Sequence, residues 1–304
     1  MRTSSTPRTV LLVVAALAVC AVAAAAGGCS MSDGAVSAQP RRLLVHRFDA
    51  QRAWGLVREQ LAFGQRPAGS EQLRRLALRL RRLLPRGHFE AIPGQPGLRN
   101  IVGTLPGRRP GIVVGAHYDT LADPPGFVGA NNGAAGSAAV VEAARALAAM
   151  PRSGRPREVR FVLFDGEEPP RGLPEQTTDF FHSGLRGSRA YVAAHPGRTR
   201  QMLLLDYIAN KGLRLPREAS SSGGLWERVR RAARAVGAQS IFPAGVGSDI
   251  IDDHTPFLRA GASAVDFIDW SYPGHDVSDR LDKLSLANLD AVGETVVATV
   301  QALR

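Results

Sequence analysis

Cysteine is almost missing from this chain of 304 residues: Cys20 and Cys29 are the only two, both near the N-terminus. That excludes a disulfide framework and a cysteine-ligated metal in the rest of the sequence. Lysine is as scarce, with Lys211 and Lys283 alone, so the formal charge of +11 rests on arginine. Aromatic residues make up 6% of the chain. None interleaves with the arginines of EQLRRLALRLRRLLPR (71–86), and no nucleic-acid-binding motif is present. A basic face paired with stacking rings, the usual footprint of nucleic-acid binding, is therefore not expected. Weak attraction to anionic lipid surfaces remains compatible with the charge.

What is present begins with an export pattern. Arg2 and Arg8 precede the apolar run VLLVVAALAVCAVAAAA (10–26), then Gly27-Gly28 and Cys29. Residues 1–29 read as a signal peptide, with Cys29 placed as in a bacterial lipobox, although Ala26 stands where such a motif usually has Leu. The expected location is outside the cytoplasm, as a secreted protein or a cell-envelope lipoprotein. Contact with a membrane is expected only through this N-terminal anchor. Removing residues 1–28 takes two arginines and no acid, so +11 becomes +9. Residues 30–45 are small, polar and basic, and read as a tether. Residues 46–304 read as a single domain.

Within that domain helical and strand patterns alternate. Apolar residues at helical spacing mark 48–64 and 71–84, and again 133–150, 185–194, 223–236, 253–261 and 284–304. Short apolar runs mark strands at 88–92, 100–105, 111–119, 157–164, 202–210 and 263–270. Such alternation predicts an α/β fold of three layers, αβα, with a mixed, mostly parallel central sheet.

Chemistry-bearing residues gather at the ends of those strands. FVLFDGEEPP (161–170) delivers Glu167 and Glu168 side by side after a buried run, and adjacent acids repel unless a cation or shared proton relieves them. His117-Tyr118-Asp119 ends the 111–119 strand, Asp206 ends the next, and His275 follows the 263–270 strand. Ligands in open α/β sheets collect at the carboxyl ends of strands. Histidine nitrogen and carboxylate oxygen are the donors zinc takes. Asp119, two residues after His117 on a strand, faces the same way and can orient its ring.

The ordered set GAHYDT (115–120), GANNGAAGSAAVVEAARAL (129–147), FVLFDGEE (161–168), LRGSRAYV (185–192), LLLDY (203–207), DDHTPFLRAG (252–261) and GHDVSDRLDKL (274–284) resembles the zinc-dependent aminopeptidases of metallopeptidase family twenty-eight. That group also holds the glutaminyl cyclases, and the resemblance covers roughly 95–304. It implies an eight-stranded mixed sheet between helices. It implies metal-ligand positions at His117, Asn132, Glu168, Asp206 and His275, a general base at Glu167 and an orienting carboxylate at Asp119. The implied substrate is a peptide with a free N-terminus, and the implied cofactor is one or two zinc ions.

Two departures matter. The family usually has Asp at 132, bridging two zinc ions, and this chain has Asn132. Two dications about 3.5–4 Å apart repel by roughly 20 kcal/mol at an effective dielectric near 20, and a neutral amide offsets that less than a carboxylate. A second ion is thus expected to bind weakly or not at all. One-zinc catalysis, as in glutaminyl cyclases although they too have an acid at this position, a binding protein that keeps the fold, and deamidation at Asn132-Gly133 are the three resulting readings, in that order. Near His275, Gly274 and Asp276 replace an aromatic residue and a Thr. Trp270 and Tyr272 can still line the mouth, and Asp276 can bond His275 or attract an amine. The segment 169–184 and the run Asp252-Asp253-His254 are cyclase-like, with Asp253 where cyclases place an acid bonded to the residue at Asp206. Gly274 speaks against a cyclase. The balance favours an aminopeptidase, with a glutaminyl cyclase as the alternative and a non-catalytic binding protein third.

Overall fold

The computed structural model describes residues 43–152, 154–173 and 179–304. The export signal, Cys29 and the tether as far as 42 lie outside the described residues. From there to the C-terminus the chain forms one sheet with helices on both faces.

The sheet has six strands: β1 (His88–Ala91), β2 (Arg99–Leu105), β3 (Arg108–His117), β4 (Arg157–Phe164), β5 (Thr199–Leu205) and β6 (Ser263–Phe267). Their order is β1-β2-β4-β3-β5-β6. β1–β2 and β2–β4 are antiparallel, while β4–β3, β3–β5 and β5–β6 are parallel. The sheet is mixed and three-layered as expected, but the described residues hold six strands rather than eight. Residues 215–219 and 245–248 run beside each other in the manner of a further strand pair. They meet in a single bridge, Arg217 to Val246. Pro216 and Pro243 supply no amide hydrogen, and glycines at 245 and 247 flank the bridge, so no ladder propagates.

Strand alternation sorts the core into two sets. Ile112, Val114 and Ala116 of β3 pack with the cluster that includes α1 (Ala50–Leu61), α2 (Glu71–Leu83), α3 (Gly136–Ala149), α6 (Gly223–Val236) and α8 (Leu286–Leu303). Val113, with Val162, Phe164, Met202 and Leu204, packs on the other side with Tyr191 and Phe257. Those two belong to α5 (Arg186–Ala194) and α7 (Thr255–Arg259); α4 (Phe180–Ser183) is a single turn. Asp49, Ser70 and Ser285 cap α1, α2 and α8 by accepting from backbone amides, a contribution of roughly 1 kcal/mol each. No helix among the described residues is long and apolar enough to cross a membrane.

The three central parallel strands, β4, β3 and β5, end at Phe164, His117 and Leu205 on one edge. The segments that leave this edge, together with the one that follows β6, carry every residue singled out above as a ligand or base.

Candidate active site

His117 closes β3 with its ring buried. Its Nδ1 lies 3.6 Å from Asp119 Oδ1 and 3.8 Å from Glu167 Oε2, and its Nε2 lies 3.5 Å from Asp206 Oδ1. The period-two reading of His117 and Asp119 holds. Asp119 does a second job that the sequence did not disclose. Its Oδ1 and Oδ2 accept from the backbone amides of Glu167 and Glu168, each at 3.3 Å. One buried carboxylate thus sets the imidazole and the acidic turn together.

That turn is also held from behind. Gly166 adopts φ +73, and a Cβ there would sit 2.8 Å from Arg186 Nε. Arg186 donates through Nε to Gly166 O at 3.1 Å and through Nη2 to Glu168 O at 2.6 Å. The N-terminus of α5 therefore reads the carbonyls of the turn while Asp119 reads its amides. With both sets bonded, the backbone of the turn is fixed and both Glu side chains lie toward His117. One ligand atom from each of His117, Glu167 and Glu168 falls within 4.8 Å of the others.

The opposite wall comes from an irregular π-helical turn, Ala130–Ala135, which leads into α3. It breaks at Asn132 and at Gly133, whose φ is +89. A Cβ at 133 would meet Asp119 O at 2.5 Å and His117 Cε1 at 3.3 Å, so glycine is required here by both conformation and space. Asp279 anchors this turn by accepting from the amides of Asn131 and Asn132 at 2.9 and 3.0 Å, and Tyr272 donates to it at 2.6 Å. Asp279 lies inside a motif noted in the sequence, but nothing there marked it as the acid that seats position 132.

A cavity of about 270 Å³ opens between these walls, lined by Asn132, Glu167, Asp206, Tyr207, Asp252 and His275, with Phe180, Ile250, Ile251, Ile268 and Trp270 as its apolar side. Trp270 is half-exposed at the mouth as expected, but Tyr272 does not line the cavity. Two further expectations need correction. Asp253, expected to bond Asp206, forms no such hydrogen bond, and it is Asp252 that lines the cavity. Asp253 is fully buried in the turn that enters α7, where neighbouring side chains diverge. Asp276 neither reaches His275 nor lines the cavity; it sits exposed and accepts from the Ser278 amide at 2.6 Å. Its turn, closed within three residues, leaves no reach toward the site. Tyr207, missed altogether, hydrogen-bonds through its hydroxyl to His275 Nε2.

The electrostatics are those of crowded acids. Burial, then Glu168, pushes the Glu167 carboxyl well above the usual range. Burial, then Asp206, pushes Asp252 up to about 6. Burial opposes charge on His117, but Asp119, Asp206 and Glu167 outweigh it and raise its pKa well above that of free histidine. One imidazole cannot neutralise that many buried carboxylates, and a divalent cation would. His117 Nδ1, Asn132 Oδ1 and Asp252 Oδ2 are among the buried atoms that lack hydrogen bonds. A donor set of histidine nitrogen and carboxylate oxygen, with no sulfur, fits zinc.

The sequence matches peptidase family M28 over residues 100–300. A glutaminyl-peptide cyclotransferase-like protein of Mus musculus is 28% identical over 274 residues, 79% of this chain and 72% of that protein. The aminopeptidase YwaD of Bacillus subtilis is 29% identical over 211 residues, 64% of this chain. The chain spans only 41% of that aminopeptidase's length. The crystal structure of a glutaminyl cyclase from an Acidobacteriales bacterium superposes with a TM-score of 0.73 at 26% identity, covering 85% of this chain and 95% of the other.

Proposed function

The chain belongs to peptidase family M28, and from that premise we propose that it is a zinc-dependent enzyme acting at the free N-terminus of peptides, cyclising N-terminal glutamine with release of ammonia. The observation that carries the choice of reaction is Asn132. It is buried, neutral, and stands where a bridging acid would support a second ion. A hydrolase must activate a water molecule. A cyclisation draws its nucleophile, the α-amine, from the substrate, so one cation suffices.

His117 and Glu168 would hold the zinc, with Asp206 beside them at 3.5 Å from His117 Nε2. When bound, it would polarise the γ-amide carbonyl of the substrate. Asp252 faces the cavity and would receive the neutral α-amino group. Phe180, Ile250, Ile251, Ile268 and Trp270 would pack the methylenes of the glutamine side chain and exclude water. Glu167 takes the proton from the attacking amine and returns it to the departing amide nitrogen. The bond from the α-nitrogen to the γ-carbon forms, the bond to the amide nitrogen breaks, and ammonia leaves. Burial and Glu168 raise the pKa of this carboxyl, which makes it a stronger proton acceptor than an ordinary carboxylate.

Hydrolytic removal of the N-terminal residue is the second reading. The His117–Asp206 pair at 3.5 Å favours it, because imidazole and carboxylate together can hold an ion that also binds water. Mass spectrometry of a glutaminyl peptide incubated with the zinc-loaded protein separates the two. Loss of ammonia with the chain intact supports cyclisation, and release of free glutamine supports the peptidase. If every N-terminal substrate stayed unchanged, both readings would fail. Export and attachment through Cys29 complete the proposal, placing the activity on secreted or envelope peptides.

A further inference from the structure

A groove adjoins the candidate active site and takes no part in the chemistry described so far. Its volume is about 540 Å³, twice that of the cavity. Ile250, Ile268 and Trp270 line both, so the two are continuous across these side chains. Trp270 is held in place at the junction. Its ring stacks on Tyr207, with centroids 6.2 Å apart and planes within 7°. Tyr207 meets it because its φ is +46, a left-handed conformation uncommon for a residue other than glycine, which turns the ring toward the cavity. Beyond Trp270 the groove is walled by parts of 214–218 and 243–250. Val246, Ile251 and Trp270, along the groove and the cavity, are 58%, 46% and 49% exposed. Large apolar side chains gathered in water at the rim of a site mark a surface used for contact.

The charges are ordered along this path. Acids line the cavity, Glu167, Asp206, Asp249 and Asp252 among them. The two acids of the groove wall are already committed. Asp269 accepts from Asn210 Nδ2 at 2.9 Å and from the Arg214 amide at 3.0 Å, and Glu218 accepts from the amides of Ser220, Ser221 and Ile250. The Arg214 side chain lines the groove, is exposed, and forms no ion pair among the described residues. A ligand with an amine at one end and a carboxylate further along matches that order. We propose that the groove holds the residues that follow the substrate's N-terminal one, and that Arg214 selects peptides carrying a carboxylate beyond the second residue. This rests on the reading of the cavity as the site for a peptide N-terminus, and it holds for cyclisation and hydrolysis alike. An extended chain advances about 3.3 Å per residue. With the first residue in the cavity, the second crosses Trp270 and the third or fourth enters the groove. An acidic side chain and a free C-terminus offer the guanidinium the same planar acceptor.

Kinetics with the zinc-loaded protein test this. The substrates are glutaminyl tetrapeptide amides with glutamate, glutamine or lysine at the third or fourth position, and a glutaminyl tripeptide as acid and as amide. In the wild type, a carboxylate in place of its neutral counterpart is expected to raise kcat/KM about two- to fivefold, the range for one exposed ion pair. The gain is expected in KM and to shrink at high salt. A gain in the tetrapeptides assigns Arg214 to a side chain, and a gain in the tripeptide assigns it to the C-terminus. Arg214→Ala is expected to bring the ratio to one, and Arg214→Glu to invert it in favour of lysine, which a merely structural role would not do. Equal kcat/KM for charged and neutral peptides in the wild type would overturn the inference and leave the reading of the cavity intact. A preference for carboxylate that survives Arg214→Glu would overturn it as well. Calorimetric titration of the Glu167→Gln variant with the same peptides reads the preference as affinity, independently of turnover. No turnover and no binding of any of these peptides would remove the reading on which the inference stands.

Discussion

Replacing Asp119 by Asn tests whether one carboxylate organises both halves of the site. The wild-type side chain is fully buried and uses its two oxygens on two backbone amides, those of Glu167 and Glu168. Asparagine has the same shape but one oxygen and one NH₂ group. However the amide is turned, the NH₂ meets an N–H donor, so one of the two hydrogen bonds is lost. A buried donor left without a partner costs about 1–3 kcal/mol. For a domain of this size that lowers the melting temperature by roughly 2–10 °C. His117 Nδ1 at the same time loses a charged neighbour at 3.6 Å. Loss of such an orienting carboxylate typically weakens metal binding about 10–100-fold. Thermal unfolding of the metal-free protein reads the first effect, and zinc titration against a competing chelator reads the second. If the variant melted and bound zinc like the wild type, the double role assigned to Asp119 would be wrong. A lower melting temperature with unchanged zinc affinity would leave Asp119 as a support for the turn and nothing more.

Glu167→Gln is expected to lower turnover by about 10²–10⁴-fold, the usual worth of a general base, while zinc stoichiometry stays the same; full activity would exclude Glu167 from proton transfer. Gly133→Ala is expected to fold poorly or not at all, because it combines φ +89 with a Cβ 2.5 Å from Asp119 O, and soluble yield with circular dichroism checks it. Asp290 lies half-buried near the start of α8, and burial followed by Glu294 raises its pKa to about 6 from 3.8. The folded state therefore binds more protons than the unfolded state between these values, and stability falls as pH rises through that window. The whole shift corresponds to about 3 kcal/mol, which solvent screening of a half-exposed group reduces to about 1 kcal/mol. Asp290→Asn should accordingly stabilise the protein at pH 8 and have little effect at about pH 3, below both values, as followed by denaturant midpoints.

Most of the sheet was legible because its strands are apolar runs that stop at polar chemistry. The 111–119 and 157–164 readings match β3 and β4 to within a few residues, since buried parallel strands leave a continuous signal. The convergence of His117, Glu167, Glu168 and Asp206 followed from the same edge. Other features were hidden for local reasons. Asp252 and Asp253 are adjacent acids in a turn, and no periodicity tells which one faces the cavity. Tyr207 looked like the next residue of a strand, but a left-handed backbone turned it into the site. Asp279 earned no notice because its role is to bind backbone amides of residues almost 150 positions away, a contact with no sequence pattern. The missing pair of strands reflects Pro216 and Pro243, which keep the neighbouring segments from laddering.

The most direct test of the account is anomalous diffraction at the zinc absorption edge from zinc-soaked crystals of the protein. The account predicts a peak about 2.0–2.2 Å from a ring nitrogen of His117 and from a carboxylate oxygen of Glu168, the distances at which zinc takes these donors. A map with no peak among those side chains, or with the ion bound elsewhere, would contradict it.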